Sequence, residues 1–190
     1  MDSLLISTGV VALAEMGDKT QLLAFILAAR FKKPLPIIFG ILAATIINHG
    51  LAGALGAWIT SIINPEVLRW ILGASFIGMA IWTLIPDKIE EEETQVAKHL
   101  GVFGATFITF FLAEMGDKTQ LATIALAAHY AAPLAVVAGT TLGMLIADIP
   151  AVFVGNKFAA KIPMKLVHSI AAAIFAVMGV LTLLKIDTLF

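Results

Sequence analysis

Apolar residues fall into six long runs separated by short polar breaks, at about 3–29, 35–62, 67–85, 100–128, 134–156 and 166–184. A helix needs about 20 apolar residues to cross a bilayer, so the pattern predicts six transmembrane helices. Pro34 and Pro133 mark the starts of the second and fifth runs, where a missing N–H costs little. Asn64-Pro65 and Ile162-Pro163 separate runs two from three and five from six. The one long polar stretch, Pro86 to His99, reads as a solvated linker, and its acidic run Glu90 to Glu93 has no metal-loop pattern. The first run lacks a positively charged flank, with Asp2 its only early charge. It is therefore expected to be a retained span rather than a cleaved signal.

The chain also repeats itself. Ala14 to Leu22 reads AEMGDKTQL, and Ala113 to Leu121 reads the same nine letters at an offset of 99 residues. Without a gap, that offset also aligns Pro34-Leu35 with Pro133-Leu134, Gly40 with Gly139, Gly56 with Gly155, Phe76 with Phe175 and Met79 with Met178. The predicted fold is an all-α membrane protein of two three-span repeats, 1–85 and 100–190, joined by the linker 86–99. An odd span count makes the second repeat enter from the opposite side. The expected result is an inverted repeat with a pseudo-two-fold axis in the membrane plane, an arrangement common in transporters.

Composition agrees with this reading. The chain is 60% hydrophobic and 13% charged, against about 25% charged in a soluble domain. Without cysteine there is no disulfide, thiolate metal site or cysteine nucleophile. A net charge of −1 with no basic stripe gives no sign of nucleic-acid binding. Arg30, Lys32, Lys33, Lys88, Lys98, Lys157, Lys161 and Lys165 fall on one predicted side, and only Arg69 and Lys185 on the other. The positive-inside rule then puts the linker in the cytoplasm and both termini outside. Trp58, Trp70 and Trp82 lie towards span ends, as aromatic anchors do.

Each copy of the motif sets two acids and a lysine within an apolar run, where such residues are expensive. Glu15 and Asp18, and likewise Glu114 and Asp117, are three apart and would share a helix face, continued by Gln21 and Gln120. The inverted repeat would bring two Glu, two Asp and two Gln together at the midplane as candidate metal ligands, with the Thr20 and Thr119 hydroxyls nearby. Four buried carboxylates cannot all stay ionised and unpaired. They bind a cation, take up protons, or alternate between the two, as a cation/proton antiporter requires. Lys19 and Lys118 are expected to neutralise Glu15 and Glu114 as i,i+4 pairs. Gly17 and Gly116 either unwind the helix locally or let another helix approach closely. Asn48 and His49 in span two and Asp148 in span five are further candidates for metal or proton coupling, and His49 aligns with Asp148 at the 99-residue offset. His99, His129 and His168 lie near span ends and read as interfacial.

Oxygen-rich donors without cysteine favour hard divalent ions, Mn²⁺ or Ca²⁺. Mg²⁺ dehydrates reluctantly and is rarely caged by protein alone. A thioether from Met16 or Met115 would tilt the choice towards Mn²⁺. No prosthetic group and no enzymatic activity are expected; a small amino-acid exporter and an intramembrane metalloenzyme are the rival readings. The doubled motif, E-x-G-D-[KR]-[ST] on a six-span duplicated chain, resembles the Gdt-type family of small cation exchangers. That family includes eukaryotic Golgi calcium/manganese transporters and bacterial manganese exporters. The resemblance implies divalent-cation transport coupled to protons, with Glu15, Asp18, Glu114 and Asp117 at the family's acidic positions. The short chain and linker look like the bacterial manganese-exporter branch.

Overall fold

The computed structural model describes residues 2–85, 100–154 and 164–185; the linker 86–99, with Lys88, Lys98 and His99, and the segment holding Lys157, Lys161 and Ile162-Pro163 lie outside the described residues. Every element among the described residues is helical. Runs two, three, five and six become α3 (Pro34–Ile62), α4 (Pro65–Thr83), α7 (Pro133–Val154) and α8 (Met164–Leu184). Proline stands in the first turn of α3 and α4, and the Asn64 side chain caps α4 by accepting from Glu66 N at 2.9 Å. Pro34–Ile62, Pro133–Phe153 and Lys165–Leu184 are long and apolar enough to cross a membrane.

Runs one and four are broken, as the local-unwinding reading of Gly17 and Gly116 expects. Each is two half-helices: α1 (Asp2–Glu15) and α2 (Lys19–Phe31), then α5 (Val102–Glu114) and α6 (Lys118–Tyr130). The breaks fall on Met16-Gly17-Asp18 and Met115-Gly116-Asp117, the core of the repeated motif. Gly17 and Gly116 have φ of 84° and 76°, a left-handed conformation that glycine adopts at no steric penalty. A Cβ on Gly116 would meet nothing within 4 Å, so backbone conformation, not close packing, explains that glycine. At about 1.5 Å per residue each half is roughly 20 Å long, short of the roughly 30 Å hydrocarbon layer.

The two halves of the sequence interleave. α1 packs on α7 and α5 packs on α3, and the crossings correspond at the 99-residue offset. A Cβ on Gly139 would lie 2.5 Å from the Leu4 carbonyl and 2.9 Å from Ser7; one on Gly40 would lie 3.0 Å from the Phe103 carbonyl and 2.7 Å from Thr106. Glycine is what lets these backbones touch. α4 packs on α8, and there Phe76 stacks on its own counterpart, Phe175, with centroids 6.5 Å apart. The outward surface is apolar, with Leu35, Phe39, Leu51, Trp58, Leu134 and Phe153 exposed, while Glu15, Glu114, His49 and Asp148 are buried. Apolar outside and ionisable inside suits lipid, not water, and the chain is a membrane protein.

Candidate metal centre

The site forms where the two breaks meet. Glu15 and Glu114 end α1 and α5; Asp18 and Asp117 are the N-cap residues of α2 and α6. A tight turn joins each acid pair, with Asp18 N donating to the Glu15 carbonyl at 3.1 Å and Asp117 N to the Glu114 carbonyl at 3.2 Å. The expected shared helix face is therefore replaced by a turn that bends the chain between the acids. Neither aspartate caps its helix with its side chain. Instead Gln21 and Gln120 reach back, their Oε1 atoms accepting from Gly17 N at 2.9 Å and Gly116 N at 2.7 Å. This is a capping box displaced by one residue, and it holds the break while leaving the carboxylates turned elsewhere.

Those carboxylates converge. Glu15, Glu114 and Asp117 each offer an oxygen, and the three lie within 4.8 Å of one another. Oxygens on opposite sides of a divalent ion, bound at about 2.0–2.6 Å, are about 4–5 Å apart, so the trio fits one ion. Glu15 and Glu114 are 1% and 0% exposed. Thr20 Oγ1 donates to Glu15 Oε2 at 2.5 Å and Thr119 Oγ1 to Glu114 Oε2 at 3.1 Å. Each hydroxyl reaches back across its break from the first turn of the following helix and fixes the glutamate's direction.

The lysines correct another expectation. With the helix broken between Glu15 and Lys19, and between Glu114 and Lys118, the i,i+4 geometry no longer exists. The ion pairs found run across the repeats: Lys19 Nζ lies 3.7 Å from Asp117 Oδ1, and Lys118 Nζ lies 3.6 Å from Asp18 Oδ1. Asp18 is thus matched to Lys118 and stands outside the carboxylate trio.

The outer ring is less symmetric. His49 Nε2 lies 3.8 Å from Glu114 Oε2. Neither ring nitrogen of His49, nor either oxygen of Asp148, has a hydrogen-bond partner among the described residues, although both side chains are fully buried. Buried polar atoms without partners are uncommon in folded chains. Asn48 Nδ2 donates to the Phe111 carbonyl at 3.1 Å, tying α3 to α5. Gln21 Nε2 donates to the Ala147 carbonyl at 2.8 Å, tying α2 to α7. Pro150 lies inside α7 just beyond, where its ring removes one helical hydrogen bond and loosens the neighbouring turn.

Sequence reasoning missed His168. Expected at an interface, it lies 2.6 Å through Nε2 from the Met16 carbonyl, at the first break. Nothing in a lone histidine near a span end distinguishes it from an interfacial one. Met115 is 56% exposed, so the second motif gives no support for a thioether donor in the buried site.

A family model described as "Divalent cation/proton antiporter GDT1" matches residues 3–91 and 102–188. The chain is 49% identical over 183 residues to a Vibrio cholerae protein named "Putative manganese exporter", covering 96% of this chain and 90% of that one. It is 30% identical over 200 residues to GDT1-like protein 3 of Oryza sativa subsp. indica, covering 92% and 71%. It is 28% identical over 215 residues to GDT1-like protein 5 of Arabidopsis thaliana, covering 94% and 93%. No solved structure matches.

Proposed function

The chain belongs to the GDT1 divalent cation/proton antiporter family, and on that premise we propose that it exports Mn²⁺ from the cytoplasm in exchange for H⁺ by alternating access. The observation that carries this reading is the meeting of Glu15, Glu114 and Asp117 inside the bundle. In the proposed arrangement α1–α2 and α5–α6 each cross once. The chain then makes six crossings as two inverted three-span repeats, 1–85 and 100–190, with both termini outside and the linker 86–99 cytoplasmic in an inner membrane. The matched glycine crossings and the Phe76–Phe175 stack support the two-fold relation.

Charge balance gives the exchange its logic. The acids Glu15, Asp18, Glu114 and Asp117 outnumber Lys19 and Lys118, which pair with the two aspartates. Within the two motifs the charge left over, with Asp148 not counted, is that of two glutamates, which one divalent ion or two protons cancel equally well. A buried site cannot carry that charge uncompensated, so metal and protons occupy it in turn. Mn²⁺ binds from the cytoplasm as protons leave. The repeats rock, protons reload the carboxylates from outside, and the metal departs. Gln21, Gln120, Thr20 and Thr119 hold the acids in place, and Asn48, His49 and Asp148 line the route of metal or proton.

Ca²⁺ as cargo is the second reading, favoured by the all-carboxylate trio. Proteoliposomes decide between them. An imposed pH gradient is expected to drive Mn²⁺ against the proton flow, and lowering pH equally on both sides to weaken Mn²⁺ binding, because protons compete for the same oxygens. Mn²⁺ flux indifferent to the pH gradient contradicts the exchange. Flux abolished by a modest excess of Ca²⁺ would reassign the cargo.

A further inference from the structure

We propose that His168 is a positioning residue: it holds the first motif's break in shape and makes two identical motifs inequivalent. The inference rests on the transport reading above, since what it positions is the cation site. Met16 sits between Glu15, which ends α1, and Asp18, which stands at the N-cap position of α2. Breaking a helix leaves carbonyls without their helical partners. The Met16 carbonyl finds one in His168 Nε2, at 2.6 Å, on a helix 152 residues further along. A carbonyl oxygen only accepts, so Nε2 carries the proton and donates.

Among the described residues the second motif shows no such tie. At the 99-residue offset the counterpart of His168 is Arg69, and Arg69 is engaged elsewhere. Its Nη1 donates to the Leu183 carbonyl at 2.5 Å, and its Nη2 pairs with Glu66. The second motif is attached instead through its lysine, Lys118 Nζ donating to the Ile85 carbonyl at the end of α4 at 3.1 Å. The first motif is thus gripped at its turn and the second at its ammonium.

α8 is suited to transmit position. Near its far end it is fastened to α4 by the Arg69 bond to Leu183, by Lys185 Nζ 3.2 Å from Glu66 Oε2, and by the close contact of Gly179 with Gly73 and Ile77. A helix held firmly at one end and bonded to the break at the other fixes where Glu15 and Asp18 sit. Displacing a ligand by about 1 Å is enough to cost a large factor in function. The His168 bond therefore sets the geometry of one half of the cation site.

The test uses the full chain in proteoliposomes. His168→Ala is expected to raise KM for Mn²⁺ about 3- to 10-fold, the size of one hydrogen bond, with little change in kcat. His168→Phe, which keeps bulk but no donor, should match it. His168→Gln, which keeps an N–H donor, should return KM towards the parent value. The native chain has no cysteine, so Met16→Cys supplies a single thiol whose maleimide labelling reports on the turn without any transport assay. Labelling at Met16→Cys should quicken when His168→Ala is added, and labelling at Met115→Cys should not. An unchanged KM, a loss in kcat alone that His168→Gln does not restore, or unchanged Met16→Cys labelling overturns the proposal. A parent chain that moves no Mn²⁺ would instead sink the transport reading, and the labelling would still decide the role of His168.

Discussion

The two motifs share nine letters and much of their internal geometry, yet they sit in different surroundings. Both break at a left-handed glycine, both are closed by a glutamine from the next turn, and both steady their glutamate with a threonine hydroxyl. Around the first lie His168, the Ala147 carbonyl and Asp148's helix; beside the second lie His49 and the end of α4. Identical sequence makes the shared part, two broken helices whose carboxylates meet. The differing part comes from residues the duplication did not preserve: His49 against Asp148, Arg69 against His168, Leu51 against Pro150. The proposed alternating access would use both properties, because one site would be reached from two unlike sides.

The shared part should respond alike to equivalent substitutions. The largest effect is expected at the carboxylates: Glu15→Gln and Glu114→Gln should each cut Mn²⁺ kcat/KM by about 100-fold or more, as loss of a buried charge partner does. Flux in proteoliposomes measures this, and a large effect from one with none from the other breaks the pairing. Next come the crossings, where Gly139→Ala and Gly40→Ala both drive a Cβ into a neighbouring helix. Each should cost about 1–3 kcal/mol, read from unfolding of the purified protein, and a single tolerant position would argue against equivalent packing. Gly116→Ala should cost about 1–2 kcal/mol for its left-handed backbone alone, and Gly17→Ala the same.

The smallest effect is expected where the motifs differ. Gln21 Oε1 closes its break and its Nε2 also holds the Ala147 carbonyl, whereas Gln120 is bonded to Gly116 N. Gln21→Ala should therefore be the more destabilising by about 1 kcal/mol, the worth of one further hydrogen bond. Equal losses in thermal unfolding would erase this part of the asymmetry.

Much of this was legible in the chain because it depends on local chemistry and on a letter-for-letter repeat. Pro34, Pro65 and Pro133 marked helix starts, and the acids in apolar runs marked where carboxylates come together. The doubled motif pointed to the family. What could not be read was partner choice. Lys19 is four residues from Glu15, and a helix would have joined them; the left-handed turn at Gly17 ended the helix first and left Lys19 to pair with Asp117. Whether Gly116 unwinds a helix or admits a neighbour depends on φ, which one letter does not encode. His168 was hidden for the same reason, since its acceptor is a backbone carbonyl that exists only once the helix breaks.

If two motifs make one site, each chain holds one ion between them. Titrating Mn²⁺ into the purified chain and counting bound ions by calorimetry and electron paramagnetic resonance tests it most directly. The account predicts one Mn²⁺ per chain, lost on substituting either Glu15 or Glu114. Two ions per chain, each lost with one motif and indifferent to the other, would contradict it.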